Sequence, residues 1–164
     1  RRILLIMVET GARPSEICNL DDKTIMLSDA VPHLVIEPRE DPEDPREIKT
    51  ESSRRKVPLV GVALEAAKKQ PAGFPLYRNR ENSLSGALNK YFKENKLFPT
   101  TAHKIYSLRH SFEDRMKVGG LDAELRKILM GHSIDRPDYG VGGDLEWRQQ
   151  NLMKIALPFD PASV

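Results

Sequence analysis

The sequence predicts an α+β fold, a mostly helical domain that carries a small three-stranded antiparallel sheet. Apolar residues recur at helical spacing through most of the second half of the chain. In the first half, three short strand-like runs follow one another, the middle one rich in β-branched residues. Short strands joined in sequence suggest an antiparallel sheet on one side of the helices. A chain of 164 residues fits one domain with one buried core.

Glycine, proline and apolar spacing set the predicted elements. A buried helix end opens the chain and stops at Gly11, and Pro14 begins a second helix that runs to Leu20. The predicted strands are Thr24–Leu27, His33–Glu37 and Lys56–Val60. The segment 39–55 is rich in Pro, Asp and Glu, which is typical of a long loop or a hairpin tip. The later helices are predicted at Val62–Lys69 and around Leu84–Phe92, Ile105–Met116, Leu121–Leu129 and Leu145–Ala156.

The composition is that of an ordinary globular protein, with 39% hydrophobic and 30% charged residues. A net charge of +2 permits nucleic-acid binding without arguing for it. The single cysteine, Cys18, excludes an internal disulfide framework and suits a reducing cytoplasm. The four histidines and this cysteine lack zinc-type spacing, so we expect no metal and no cofactor. No stretch approaches membrane-spanning length.

Two segments in the first half place basic side chains where they could meet an anion. In TGARPSEI, Arg13 lies between a glycine turn and a helix start, and its fork could bind two phosphate oxygens. In IKTESSRRKVPL, Lys49 lies at the predicted hairpin tip and could reach into a DNA groove, followed by Arg54, Arg55 and Lys56. Taken alone, each segment has a plainer interpretation, a surface arginine at a helix cap and a solvated charged loop.

A third segment, YSLRHSF, carries another arginine on a predicted helix. Leu108 and Phe112 form the apolar face of that helix, so Arg109 is predicted to lie off the face. Alone, it is one more helix arginine.

The fourth segment, LMGHS, ends a helix at a glycine and places His132 at the C-terminal edge. Tyr139 follows seven positions later among Pro137 and several glycines, where a tyrosine is free to move. The alternative is a loop tyrosine that packs on the surface.

In this order, the four segments resemble the tyrosine recombinases of the phage-integrase type. TGARPSEICNL is similar to the first arginine box, IKTESSRRKVPL to the hairpin lysine and the strand after it, and YSLRHSF to the second box, usually His-x-x-Arg. LMGHS with Tyr139 is similar to the third box and the nucleophile, and RPDYG resembles a subset of phage and prophage integrases. The resemblance runs from about Leu4 to Leu157, and the order of the boxes is more specific than any one of them.

The sequence departs from the family pattern at two points. Tyr106 stands where the family usually has histidine. A phenol with a pKa of about 10 is a poor base near pH 7 but can donate a hydrogen bond to phosphate. His110, adjacent to Arg109 in the sequence, is not expected simply to stand in for that histidine, because one helix position turns the side chain by about 100°. The gap from His132 to Tyr139 is also shorter than the commonest family spacing, but no other tyrosine follows Tyr106.

The resemblance implies a site-specific DNA recombinase that works by transesterification, as type IB topoisomerases do. Tyr139 would attack a DNA phosphodiester and leave a 3′-phosphotyrosine and a free 5′-hydroxyl. Arg13, Arg109 and His132 would bind the phosphate, and Lys49 would protonate the departing 5′-oxygen.

Supporting roles are implied for the neighbours of these residues. Glu16, three positions beyond Arg13, would steady that arginine. The basic run Arg54, Arg55 and Lys56 would contact DNA. The scheme needs neither a metal nor another cofactor.

Double-stranded DNA is the expected partner, and the resemblance implies a homotetramer on DNA in the full-length protein, in the bacterial cytoplasm at the nucleoid. The chain begins without Met, in what looks like the middle of a helix. We therefore expect residues 1–164 to be the catalytic domain without its N-terminal core-binding region. Leu157–Phe159 is a candidate contact with a neighbouring subunit, although it could equally pack on its own domain.

Two other functions stay open from the sequence. A DNA-binding member of the same fold that no longer cleaves is suggested by Tyr106, and a protein–DNA covalent adduct would exclude it. A helical regulatory or interaction domain with merely solvated basic residues would show no salt-dependent DNA binding.

Overall fold

The computed structural model describes residues 1–48, 50–133 and 143–164. These residues form seven α-helices and one three-stranded sheet, so the predicted α+β fold is confirmed. The elements are α1 (Arg2–Thr10), α2 (Pro14–Ile17), β1 (Ile25–Met26), β2 (His33–Ile36), β3 (Arg55–Pro58), α3 (Gly61–Lys68), α4 (Glu81–Glu94), α5 (Ser107–Val118), α6 (Ala123–Met130) and α7 (Leu145–Met153). None of the helices in the described ranges is long and apolar enough to cross a membrane.

The sheet is antiparallel throughout, in the order β1-β2-β3. Leu34 of β2 pairs with Val57 of β3, and Ile36 pairs with Arg55. Because side chains alternate along a strand, Arg55 and Val57 face the interior while Lys56 between them is exposed. Arg55 therefore occupies an inward-facing position in the pairing of β2 with β3.

The main core lies where α1 contacts α3 and α5. Ile3, Ile6 and Met7 of α1 are buried at the three- and four-residue spacing of an amphipathic helix. The helix ends at Gly11, which has a left-handed φ of 59°. A Cβ at this position would lie 2.4 Å from Cδ1 of Phe112, so glycine lets the chain turn directly against α5.

The orientation of α5 differs from the sequence prediction. Arg109, Phe112 and Met116 are its buried residues, whereas Leu108 is only partly buried. The buried face follows i, i+3 and i+7 spacing and includes the arginine. The prediction that Arg109 lies off the apolar face is therefore wrong, because polar partners in the interior receive its guanidinium.

The long loop between β2 and β3 contains a small hairpin. The backbones of Arg39 and Arg46 pair through two N–H···O bonds of 2.9 Å. The Arg39 guanidinium donates to Asp44, at 2.5 Å, and to the carbonyl oxygen of Asn19, at 3.1 Å. Asn79 donates to Asp44 at 2.8 Å. These contacts tie the hairpin to the body of the domain.

The backbone of the segment after α7 is bonded to its own domain at Leu157, whose side chain stays exposed. The Leu157 N–H donates to Oε1 of Glu9 at 2.7 Å. Arg115 donates to the other oxygen of this carboxylate at 3.3 Å. Burial of Glu9 raises the pKa of its carboxyl, and the bonds from Leu157 and Arg115 offset this only in part.

Candidate active site

Arg13 is the N-cap residue of α2, and Glu16 fixes it on two sides. The Arg13 backbone N–H donates to Oε2 of Glu16 at 2.7 Å, and Nη1 of its side chain donates to Oε1 at 2.7 Å. Nη1 also lies 3.4 Å from the Ser53 hydroxyl oxygen. The Arg13 Nε is buried and has no hydrogen-bond partner among the described residues. Nη1 of Arg13 is thus held by Glu16, while the N–H of Nε remains available to donate a hydrogen bond.

Arg55 forms a buried ion pair with the same carboxylate. Its Nη1 and Nη2 donate to the two oxygens of Glu16 at 2.9 Å and 2.8 Å. Burial alone would raise the pKa of Glu16, but the hydrogen bonds and charge of Arg55, helped by Arg13, lower that pKa to about 2. Glu16 is therefore ionised throughout the neutral range and links β3 to α2.

The placement of Arg55 corrects the prediction that it contacts DNA. Besides Glu16, its guanidinium binds the Leu129 carbonyl oxygen through Nε, at 2.9 Å, and the Ser53 carbonyl oxygen, at 2.8 Å. Its side chain is buried, with every nitrogen engaged. Arg55 therefore supports the site from within the fold. The alternation of β3 was the signal that could have found this role, since Arg55 shares the inward register of Val57.

Arg109 joins three parts of the chain. It is 3% exposed, its Nη1 donates to the Gly11 carbonyl oxygen at 2.6 Å, and its Nη2 donates to that of Met130. Nη2 also lies 3.4 Å from Nε2 of His132. Burial, together with the charge of Arg13, lowers the pKa of Arg109 to about 10. The guanidinium stays charged at neutral pH and is rigidly oriented.

His132 follows the C-cap of α6 and is exposed. The cap residue, Gly131, has a φ of 62°, and a Cβ there would meet Nη1 of Arg55 at 2.8 Å and Cα of Ser53 at 3.1 Å. The end of α6 therefore sits directly against the Arg55 cluster. Partial burial and the charge of Arg109 lower the pKa of His132, so the imidazole is neutral near pH 7 and keeps one N–H to donate.

Tyr106 lies just before α5, three residues from Arg109, and is 43% exposed. Its ring meets that of His110 edge-on, with centroids 5.5 Å apart. Its position leaves the ring accessible to a ligand that approaches Arg109.

The remaining predicted residues divide into two groups. Arg54 and Lys56 are exposed, and Arg54 pairs with Glu51 at 3.0 Å. Lys49 and Tyr139 lie outside the described residues.

The structure thus brings Arg13, Arg109 and His132 together around one point, with Glu16 and Arg55 behind them. Three guanidiniums and one carboxylate give this cluster a net positive charge, which suits an anion. Within the described ranges, no group of three or more His, Cys, Asp or Glu side chains could hold a metal ion. Sequence reasoning missed one further residue, the buried Arg46, which lines a cleft next to Arg13.

No known family model matches the sequence, and no curated protein matches it. Solved structures do match. The integrase of the Tn1549 transposon in complex with transposon right end DNA is 19% identical, with a TM-score of 0.57, over 96% of this chain and 54% of that chain. A complex of that integrase with a circular intermediate DNA is 22% identical, with a TM-score of 0.58, over 99% and 56%.

A second integrase has the same fold. The integrase from mycobacterium phage Brujita is 16% identical, with a TM-score of 0.65, over 98% of this chain and 51% of that chain. The chain spans about half the length of these solved integrases. Over nearly its whole length, the chain therefore has the fold of these solved integrases, which is the fold that the resemblance predicted.

Proposed function

We propose that this chain is the catalytic domain of a site-specific DNA recombinase, which cleaves and rejoins DNA strands through a 3′-phosphotyrosine intermediate. The convergence of Arg13, Arg109 and His132 carries the proposal. These three side chains come from separate segments and share one positively charged site. The likeness to integrases whose structures contain DNA supports DNA as the partner.

In the proposed reaction, the phenol oxygen of Tyr139 attacks a DNA phosphorus atom. A bond forms between that oxygen and phosphorus, and the bond from phosphorus to the 5′-oxygen breaks. Tyr139 releases its proton to solvent water, and Lys49 gives a proton to the departing 5′-oxygen. One phosphate ester replaces another, so no ATP is needed and the reverse reaction rejoins the strand. The roles of Tyr139 and Lys49 rest on the family resemblance.

The two arginines stabilise the charge that builds on the non-bridging oxygens. Arg109 is preorganised, because the carbonyl oxygens of Gly11 and Met130 hold its guanidinium before any substrate arrives. Arg13 is oriented by Glu16, which Arg55 in turn fixes. Loss of one such donor group costs about 3–4 kcal/mol of transition-state stabilisation, or roughly 100- to 1,000-fold in rate.

Neutral hydrogen-bond donors complete the site. His132 has a lowered pKa, so a single imidazole N–H would donate to the phosphate near pH 7. The Tyr106 hydroxyl would donate a further bond in the position where the family usually has histidine. We assign no proton-acceptor role to Tyr106, because a phenol is a weak base at this pH.

The full-length protein would hold DNA between this domain and an N-terminal core-binding region, as a homotetramer at the bacterial nucleoid. The exposed Arg54 and Lys56 would contact the DNA backbone near the site.

A suicide DNA substrate, from which the cleaved end diffuses away, tests the proposal in excess EDTA. We expect Arg109→Ala to lower the rate of covalent adduct formation at least about 100-fold. Lys117→Ala is the matched control on the same helix, because Lys117 is exposed and pairs only with carboxylates of α5 among the described residues. Thermal unfolding and the charge-preserving Arg109→Lys separate catalytic loss from misfolding. If folded Arg109→Ala cleaves as fast as the parent, the assignment is wrong.

A further inference from the structure

Arg46 is a buried arginine that the proposed reaction does not use. It is 8% exposed, and two backbone hydrogen bonds to Arg39 fix its main chain. Among the described residues its guanidinium has no hydrogen bond or ion pair at contact distance, although the carboxylates of Glu16 and Asp21 attract it through their charges. Burial disfavours the charged form of Arg46, and the charges of Glu16 and Asp21 offset this only in part, so the pKa of Arg46 is lowered. An anion that enters the cleft would therefore stabilise the guanidinium.

The Arg46 side chain lines a polar cleft of about 300 Å³ that Arg13 also lines. The buried Nε of Arg13 has no partner among the described residues either. One carboxylate of the cleft, that of Glu16, is already bound by Arg55 on both oxygens. Two guanidiniums with unused donors therefore share one cleft, and one of them belongs to the candidate active site.

Two further carboxylates limit what the cleft can bind. Glu47 is exposed, Glu81 is partly buried, and both line the cleft. Their charges oppose a small free anion. The occupant must therefore be an anionic group carried on a larger ligand, whose contacts elsewhere outweigh this repulsion.

We infer that Arg46 binds a second phosphate of the DNA strand, beside the phosphate held by Arg13 and Arg109. The inference rests on the proposed function, because it takes the ligand of the candidate site to be DNA. Arg13 connects the two positions, since it belongs to both the cleft and the site. A phosphate contact of this kind fixes the register of the strand without reading its sequence. Arg46 is thus a positioning residue for the strand to be cut.

The test compares DNA binding by the parent chain, Arg46→Gln and the control Lys68→Gln over a range of salt concentrations. Lys68→Gln removes one positive charge, as Arg46→Gln does, but from an exposed ion pair with Glu65. We expect Arg46→Gln to weaken binding roughly tenfold and to reduce the slope of log K against log salt by about 0.9. The melting temperature of Arg46→Gln should stay close to that of the parent, because the Arg46 side chain has no hydrogen bond to lose among the described residues. A lower melting temperature with an unchanged slope would overturn the inference.

Duplexes that carry one neutral methylphosphonate, placed at each position in turn, locate the contact. We expect the parent to lose affinity at a position next to the cleaved phosphate, and Arg46→Gln to lose nothing further there. If Arg46→Gln keeps the sensitivity of the parent at every position, the inference is wrong.

Covalent adduct formation on the unmodified duplex tests the proposed cleavage reaction independently of the Arg46 contact. An adduct with an unchanged salt slope in Arg46→Gln would overturn the Arg46 contact alone. A reduced slope in a protein that forms no adduct would support the contact and overturn the cleavage proposal. Absence of DNA binding by the full-length protein would overturn both.

Discussion

The carboxylate of Glu16 accepts hydrogen bonds from both terminal nitrogens of Arg55, at 2.9 Å and 2.8 Å, and both side chains are buried. Arg13 donates to the same carboxylate from its backbone and its side chain. The orientation of Arg13, which is predicted to bind phosphate, therefore depends on the buried ion pair between Glu16 and Arg55.

Glu16→Gln should destabilise the fold strongly. The change leaves the Arg55 charge buried without its counter-charge, which costs about 3–5 kcal/mol in the free energy of unfolding. Urea denaturation measures the effect. Glu65→Gln is the control, because it removes a carboxylate from an exposed pair with Lys68 and should cost less than about 1 kcal/mol. Equal losses in the two variants would contradict the role given to the buried pair.

The free energy of unfolding should change in acid as the carboxylate of Glu16 becomes protonated. The pKa of Glu16 is lowered from 4.5 to about 2, so its contribution is present above pH 4.5 and is lost as the pH falls towards 2. Glu9 acts with the opposite sign. Its pKa is raised, so its contribution is present below pH 4.5 and is lost as the pH rises through the raised value.

Urea denaturation from pH 7 to pH 2 separates these contributions when the parent is compared with Glu16→Gln. We expect the difference in unfolding free energy between the two proteins to shrink as the pH falls. A difference that stays constant down to pH 2 would show that the Glu16 pKa is not lowered.

Two glycines should respond to alanine in opposite directions. Gly131 has a φ of 62°, and its Cβ would lie 2.8 Å from Nη1 of Arg55. Gly131→Ala should therefore lower the unfolding free energy by about 1–3 kcal/mol and disturb His132 beside it. Gly86 lies within α4 with nothing within 4 Å of its Cβ, so Gly86→Ala should raise stability by about 0.5–1 kcal/mol. Thermal or urea unfolding of both variants decides the matter, and a stabilising Gly131→Ala would be inconsistent with this packing.

Tyr106→Phe should slow DNA cleavage without loss of stability. Removing one hydroxyl that donates to a charged phosphate costs roughly tenfold in rate or more. Tyr91→Phe is the control, since Tyr91 is 57% exposed on α4. The readout is the rate of adduct formation on a suicide substrate. If the two variants cleave equally fast, Tyr106 does not contact the phosphate.

Much of the fold follows from local signals in the sequence. Pro14 begins α2, Gly11 and Gly131 end helices in the left-handed conformation, and the three strands lie within two residues of their predicted bounds. The errors occur at element ends. The second helix ends at Ile17 rather than Leu20, and the last ends at Met153 rather than Ala156. Helix ends depend on capping and tertiary contacts, which apolar spacing does not report.

The buried arginines show where sequence reasoning fails. Arg109 was predicted to lie off the apolar face of α5, and Arg55 was predicted to contact DNA as part of an exposed basic run. Both side chains are buried, because their guanidiniums donate hydrogen bonds to carbonyl oxygens of distant segments and, for Arg55, to the carboxylate of Glu16. Periodicity separates apolar from polar residues but cannot show which charge has a partner across the fold. Arg46 lies in a loop without any periodic pattern, so nothing local indicated its burial.

The central claim is tested most directly by an SDS-resistant protein–DNA adduct, formed in excess EDTA and compared between the parent chain and Tyr139→Phe. Relaxation of supercoiled plasmid is scored in parallel. We expect the parent to form the adduct and relax the plasmid, and Tyr139→Phe to do neither, with the adduct mapping to Tyr139 at a 3′-phosphate. Adduct formation that survives Tyr139→Phe, or that strictly requires magnesium, would contradict the proposed reaction.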